Sequence, residues 1–302
     1  MLTGAASEIK RKFPDLELLE SEPMSRHCSF RIGGPADVLI LPRTAAEIVS
    51  VCSLLRKLGE SPLIIGNGTN LLFTDAPIRR AVIKLGDNFS GIEAVDGGVK
   101  AQSGVPLARL ANFALDLGLT GLEFAHGIPG ALGGAVVMNA GAYGGEMSGV
   151  VWSTAFLDDG MEFREVSGQE HEFAYRHSLF SDNGGVILGS ALKLEAGEPE
   201  AIRELMRELS VRRRESQPLD MPSAGSTFKR PKTGYAAQMI DEAGLKGFRI
   251  GGAQVSEKHA GFIVNTGGAS FGDVMRVIEY VQKTVFSAFS VELELEVKVI
   301  DK

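Results

Sequence analysis

Cysteine is almost absent: Cys28 and Cys52 are the only two in 302 residues, too few for a disulfide framework and in keeping with a reducing cytoplasm. No C-x-x-C, H-E-x-x-H or other His/Cys spacing suggests a zinc site, so no metal is expected. The G-x-x-x-x-G-K-[ST] loop is missing, which excludes a P-loop nucleotide hydrolase. Ser226 lies in no G-x-S-x-G elbow, which argues against a hydrolase nucleophile. Long apolar runs are missing as well. The uncharged stretch Gly127 to Gly145 approaches membrane-span length, but it holds seven glycines, Pro129 and Asn139 and reads as a glycine-rich loop and turn region. Glu8, Lys10, Arg11 and Lys12 crowd the N-terminal turns without an apolar stretch, so no signal peptide is expected. Basic charge is in deficit, 31 Lys and Arg against 38 Asp and Glu for a net charge of -7. Neither nucleic-acid binding nor membrane insertion is expected, and an anionic ligand would need a local basic pocket.

What the chain does have is glycine, 37 residues, or about 12% against an average near 7%. Many backbone positions are therefore turns or places where a ligand lies against the main chain. With 44% apolar and 23% charged residues the rest is ordinary globular composition, long enough for about two domains.

Helix and strand patterns alternate. Thr44-Ala-Ala-Glu47 forms a capping box before the stripe Ile48, Val51, Cys52, Leu55 and Leu58, stopped by Gly59. Pro62 to Ile65 is a short strand, and Pro106 to Leu117 a second helix with Gly118 beyond its end. Val150 to Leu194 reads as strands with turns at Asp158–Gly160 and Asn183–Gly185. Glu198 to Glu215 is a charged helix, a composition change near Pro218 marks the main boundary, and a last helix runs from about Gly272 to Phe289. Val291 to Ile300 alternates as a strand, with Val291, Leu293, Leu295, Val297 and Val299 inward and Glu292, Glu294, Glu296 and Lys298 opposite.

Gly66-Asn67-Gly68-Thr69-Asn70 leaves a strand, and glycines at that spacing let successive N–H groups converge on phosphate oxygens, or simply make a turn. A Rossmann fingerprint would need a third glycine where Leu71 stands and a helix that Phe73, Asp75 and Pro77 forbid. A second glycine-rich segment, from Gly121 to Gly144, favours a large phosphorylated cofactor over loop packing alone. Tyr175-Arg176-His177-Ser178 and the loop-like Ala224 to Pro231 place cations beside hydroxyls, where a guanidinium can hold an anion and a buried serine can pass a proton.

Taken in order, eight segments resemble the UDP-N-acetylenolpyruvoylglucosamine reductase (MurB) family. They are Ser29–Ala36, Gly66–Leu72, Gly127–Gly130, Tyr175-Arg176, Gly225–Lys229, Leu245–Gly247, His259–Asn265 and Glu294–Val297. The resemblance implies an α+β fold. An FAD-binding region of two subdomains, akin to the PCMH and vanillyl-alcohol-oxidase class, would occupy residues 1–80 and 81–210, with a C-terminal α+β substrate-binding domain over 211–302. Only a short turn, Ser181 to Gly185, follows Tyr175-Arg176, which resembles the family's shorter subtype, without the inserted loop that carries a tyrosine over the substrate.

The implied chemistry is NADPH-dependent reduction, through noncovalent FAD, of the enolpyruvyl ether of UDP-N-acetylglucosamine enolpyruvate to UDP-N-acetylmuramate, in peptidoglycan precursor synthesis in a bacterial cytoplasm. By the resemblance, Arg176 faces the developing enolate, Ser226 is the general acid, and Glu296 polarises or protonates the enolate, with Glu294 an alternative on the same face. The cofactor residues implied are Arg31, Ile32, Gly33, Gly34, Gly66, Asn67, Gly68, Thr69, Asn70, Leu71, Gly121, Gly127, Ile128, Pro129, Gly130, Gly133, Ala135, Asn139, Gly141 and Ala142. Gly68 is expected where a side chain would crowd the pyrophosphate. Tyr175, Lys229, Arg230, Lys246 and His259 are implied for the substrate. Another flavoprotein of the same class and a non-catalytic nucleotide-sugar-binding protein are the alternatives, and oligomeric state stays open, a monomer being compatible.

Overall fold

The computed structural model describes residues 4–301. The described residues form two compact units, one made of residues 4–20 with Val38–Asn67 and Arg80–Arg213, the other of Ser21–Asp37, Gly68–Arg79 and 214–301.

The first unit is built on a five-stranded antiparallel sheet in the order Phe163–Ser167, Val151–Leu157, Val186–Lys193, Gly98–Gln102, Ile92–Val95. Helices Leu107–Asp116 and Pro199–Ser216 contribute Leu107, Leu110, Ala114, Ile202 and Met206 to its core. The strand Leu63–Ile65 pairs in parallel with Ile78–Lys84 in a second sheet. Its neighbouring helix, Ala45–Lys57, buries Ile48, Val51, Cys52 and Leu55 as the stripe predicts. Thr44 caps that helix by accepting from Glu47 N–H at 3.1 Å. The capping box itself is not formed, because the Glu47 carboxylate reaches past Thr44 to the Arg43 N–H at 2.6 Å.

Two readings of the sequence are corrected here. The Gly127–Gly145 stretch is not all loop, since Leu132–Val137 is a helix. Burial of Leu132 and Val136 outweighs the poor helix propensity of Gly133 and Gly134. Gly133 is needed for contact, because a Cβ there would lie 2.8 Å from Ser103 Cβ.

The C-terminal segment is likewise not one strand. Only Lys298–Ile300 is, pairing in parallel with Leu71–Phe73. The residues before it are extended but hydrogen-bond to a loop: Lys229 N–H donates to Glu294 O at 2.8 Å, and Glu296 N–H to Thr227 O at 2.9 Å. Period-two burial survives at Leu293 and Val297, which is why the alternation mimics a ten-residue strand.

The second unit carries the sheet Ser223–Ser226, Phe262–Asn265, Ala253–Val255, Arg249–Ile250, all antiparallel. The helix Phe271–Phe289 buries Val274, Val277, Ile278, Val281 and Val285. Its start is a full capping box between Ser270 and Asp273. Asp273 also accepts from Gly252 N–H at 3.3 Å and Arg276 Nη2 at 2.6 Å. The N–H groups of Ser270 and Gly252 are the main reason its carboxyl is held down at about 2. The three segments of this unit are tied by Asn265 Nδ2 to Phe30 O at 3.1 Å, Ser29 Oγ to Ser223 O at 2.6 Å and Phe271 N–H to Asp75 Oδ2 at 2.7 Å. Among the described residues no helix is long and apolar enough to cross a membrane.

Candidate active-site residues

In the first unit Arg176 sits at the tip of a two-residue turn closed by reciprocal backbone bonds between Ala174 and His177, at 3.1 and 3.2 Å. Its φ of +54° is the left-handed conformation, which a type II turn requires at its second central residue. Its Nη2 is 3.5 Å from Gly141 O, and its guanidinium lies 5.1 Å from the centre of the exposed Tyr175 ring. The turn is anchored by Asn139, whose Nδ2 donates to Ala174 O at 3.1 Å while its Oδ1 accepts from Ser148 N–H at 2.9 Å. Asn139 is 1% exposed. Its amide thus ties the Arg176 turn to the Met147–Gly149 segment. Ser178 Oγ and Ser181 Oγ add donations to Val137 O at 2.9 and 3.0 Å.

The glycine-rich residues of this unit are close-packed for different reasons. Gly127 leaves room for Arg213, whose Cδ would be 3.2 Å from a Cβ. Gly130 has a φ of +137° and Gly121 of +120°. Beside Gly133, Ser103 Oγ is buried and, among the described residues, has no hydrogen-bond partner. The N–H groups of Gly66, Asn67 and Gly68 donate to no backbone carbonyl among the described residues. Backbone N–H groups without a backbone acceptor suit phosphate oxygens, so Gly66 and Asn67 fit a phosphorylated cofactor.

In the second unit, Gly68 has a φ of +62°, and a Cβ there would lie 2.2 Å from His27 O and 2.9 Å from Cys28 Cα. The crowding expected against a ligand is thus already present against the chain's own backbone. Gly34 is equally constrained, 2.4 Å from Ala76 O and Asp75 O. Ile32 is buried and Arg31 exposed, with a φ of +57° at Arg31.

Ser226 is half-buried at the end of a strand, not in a loop. The next residue, Thr227, is buried, and neither periodicity nor motif singles it out. Its N–H donates to Gly261 O at 2.9 Å, its Oγ1 accepts from Ile263 N–H at 3.2 Å, and its carbonyl accepts from Glu296 N–H. A β-branched hydroxyl residue directly after the candidate acid is the signal that could have found it.

The two glutamates, equivalent by alternation, differ in the fold. Glu294 is exposed, with Lys229 Nζ at 3.4 Å. Glu296 is half-buried, and its carbonyl accepts from Asn70 Nδ2 at 3.0 Å. Lys246 is paired with Asp241 at 2.6 Å, and Arg230 lies over the Tyr235 ring at 4.2 Å. His259 Nδ1 accepts from Gly261 N–H at 3.2 Å, which puts the ring proton on Nε2, and burial lowers its pKa.

Two family models match the chain: FAD binding domain over residues 36–163, and UDP-N-acetylenolpyruvoylglucosamine reductase, C-terminal domain, over residues 217–300. A relative from Caldanaerobacter subterraneus subsp. tengcongensis named UDP-N-acetylenolpyruvoylglucosamine reductase is 49% identical over 97% of each chain. The chain belongs to this reductase family. A Clostridioides difficile relative of the same name is 47% identical over 92% of each chain. The crystal structure of the Thermus caldophilus reductase matches with a TM-score of 0.80 at 34% identity, covering 94% of this chain and 98% of that one. The α+β class and family membership expected from the eight segments both hold.

Proposed function

We propose that this chain is an NADPH-dependent, FAD-containing reductase that converts UDP-N-acetylglucosamine enolpyruvate to UDP-N-acetylmuramate in bacterial cytoplasm. The observation that most supports this reading is the asymmetry between the two glutamates. Glu296 is half-buried and backbone-clamped beside the Ser226–Thr227 strand end, while Glu294 is exposed and ion-paired. We assign residues 1–80 and 81–210 to cofactor binding and 211–302 to the substrate domain.

The Gly66 to Leu71 turn would hold the pyrophosphate of FAD, with the N–H groups of Gly66, Asn67 and Gly68 offered to its oxygens. Arg31 to Gly34 and the Gly121 to Ala142 region would line the remainder, with Asn139 contributing through the Arg176 turn. The bound cofactor, reduced by NADPH, supplies hydride to the vinyl carbon of the enolpyruvyl ether. That addition places negative charge on an enolate next to an existing carboxylate. A guanidinium held in a pinned turn, as in Arg176, stabilises such charge without reorganising. The α-carbon then takes a proton from Ser226, a neutral donor that adds no charge to an already anionic centre. Glu296 polarises or protonates the enolate. Lys229, Arg230, Lys246, Tyr175 and the Nε2–H of His259 are offered to the phosphates and polar groups of the nucleotide sugar.

The test is an anaerobic visible spectrum of the flavin-loaded protein. NADPH should bleach the flavin band, and the enolpyruvyl substrate should restore it. A band that NADPH leaves unbleached would refute the reading.

A further inference from the structure

Asn70 belongs to the turn expected to cradle the cofactor, yet its side chain is committed elsewhere. Its Nδ2 donates to the Glu296 carbonyl at 3.0 Å, and its own carbonyl accepts from Lys298 N–H at 2.9 Å. One residue thus grips the chain on both sides of Val297. From the other direction, the Thr227 carbonyl accepts the N–H of Glu296 at 2.9 Å and of Val297 at 3.4 Å. The Glu296 backbone is thereby held between two carbonyl–amide clamps, one from the glycine-rich turn and one from the residue after Ser226. The parallel pair Lys298–Ile300 with Leu71–Phe73 begins immediately beyond this clamp and continues the same registration.

We infer that Asn70 is a positioning residue for Glu296: its side-chain amide fixes where the Glu296 backbone lies relative to Ser226, so that the turn sets the placement of the Glu296 segment. The physical case is one of stiffness. Residues 291–297 are not in a sheet; their backbone–backbone bonds go to loop partners, and Gln282 of the last helix donates to Leu293 O at 2.8 Å. Removing the Nδ2 donor leaves the Glu296 carbonyl to seek another partner, and the segment can shift. A misplacement of about 1 Å in a reacting group can cost roughly 10²-fold in rate.

This inference rests on the reductase reading for its kinetic part, and its tests separate the two. In Asn70→Ala the protein should keep its flavin, with a Kd raised less than about threefold, because the amide is spent on Glu296. Flavin bleaching by NADPH should be nearly unchanged. Reoxidation by the enolpyruvyl substrate should slow by about 10–100-fold. Asn70→Asp preserves the shape but sets a second acceptor against the Glu296 carbonyl, so it should be at least as slow. It also guards against a folding defect peculiar to alanine.

Combining Asn70→Ala with Glu296→Gln gives the decisive comparison. If Asn70 acts through Glu296, the double variant should be little slower than Glu296→Gln alone. In flavin-free protein, deuterium uptake of the 291–300 peptide should rise in both Asn70 variants, while that of the Phe262–Asn265 strand stays the same. Additive rate losses, or loss of flavin in proportion to activity, would overturn the inference and return Asn70 to cofactor binding. A wild-type protein whose flavin the substrate cannot reoxidise would instead overturn the reductase reading, leaving the exchange experiment to judge the clamp alone.

Discussion

Replacing Gly68 by alanine adds one methyl group at a position where the backbone has no room for it. The residue's φ is +62°, and the new Cβ would lie 2.2 Å from His27 O. Holding a non-glycine residue in the left-handed region costs about 1 kcal/mol. His27 O belongs to the backbone and cannot rotate away, so the turn and the 27–28 segment must part by roughly an ångström to reach ordinary contact distance. Parting them strains the Ser29 N–H bond to Gly68 O, 3.3 Å long in the fold, and such a bond contributes about 1 kcal/mol. With residual strain the total is about 2–4 kcal/mol, a fall in Tm of about 3–6 °C for a protein of this size. Scanning calorimetry of the flavin-free protein reads the stability, and fluorescence titration reads flavin affinity, which should weaken at least about tenfold as the turn proposed to hold the pyrophosphate is displaced. Gly149→Ala, with nothing within 4 Å of its Cβ, is the control and should be near neutral. A Gly68→Ala protein with wild-type Tm and a full complement of flavin would refute the steric argument and the loop assignment together.

Ser226→Ala should retain flavin bleaching by NADPH but lose about 10²–10⁴ in turnover; in deuterated solvent the wild type should place deuterium at the α-carbon, and turnover near wild type in the variant would remove the serine from the mechanism. Arg176→Ala should slow flavin reoxidation by about 10²–10³ while sparing reduction, so stopped-flow traces showing equal slowing of both halves would make Arg176 a structural residue instead. Glu296→Gln should reduce turnover strongly, whereas Glu294→Gln, which loses only an exposed ion pair, should change stability by less than about 1 kcal/mol and turnover little; the reverse order would exchange their roles. Asp273, held at about 2 in the fold against about 3.9 unfolded, contributes stability that is present above about pH 4 and disappears as pH falls through 2. Tm curves of wild type and Asp273→Asn should therefore converge between pH 4 and 2, and parallel curves would show that the cap carries no such linkage.

Helices were the most legible part of the chain. Thr44 caps, Gly59 and Gly118 stop, and the apolar stripe at Ile48, Val51, Cys52 and Leu55 faces inward as its spacing predicts. The helix Leu132–Val137 escaped because glycine propensity argues locally against it, while the stabilisation comes from burial that only the folded chain supplies. The final segment escaped for a different reason. Alternating burial records which side of an extended chain faces the core, not whether its N–H groups meet a strand or a loop.

For the candidate site, motif order proposed Arg176, Ser226 and Glu296, but period-two reasoning made Glu294 and Glu296 interchangeable. Their difference comes from partners remote in sequence, Lys229 for one and Asn70 with Thr227 for the other. Likewise Gly68 stood out as a glycine, although nothing in the chain's order points to His27 O as the atom that excludes a side chain.

The second unit's make-up has a bearing on how the protein is born. Three of its ties, from Ser29 to Ser223, Phe271 to Asp75 and Asn265 to Phe30, join residues 194, 196 and 235 positions apart. At translation speeds of about 5–20 residues per second, the early segments wait roughly 10–45 s for their partners. During that interval Phe30, Ile32 and Phe73, at most 2% exposed in the finished fold, have no C-terminal partners to cover them. The first unit's chain is complete well before this and can fold while the ribosome is still working. The second can close only once the residues up to Ile300 have been made, which makes the interval before that its period of greatest aggregation risk, and makes a fragment starting near Arg214 a poor candidate for independent folding.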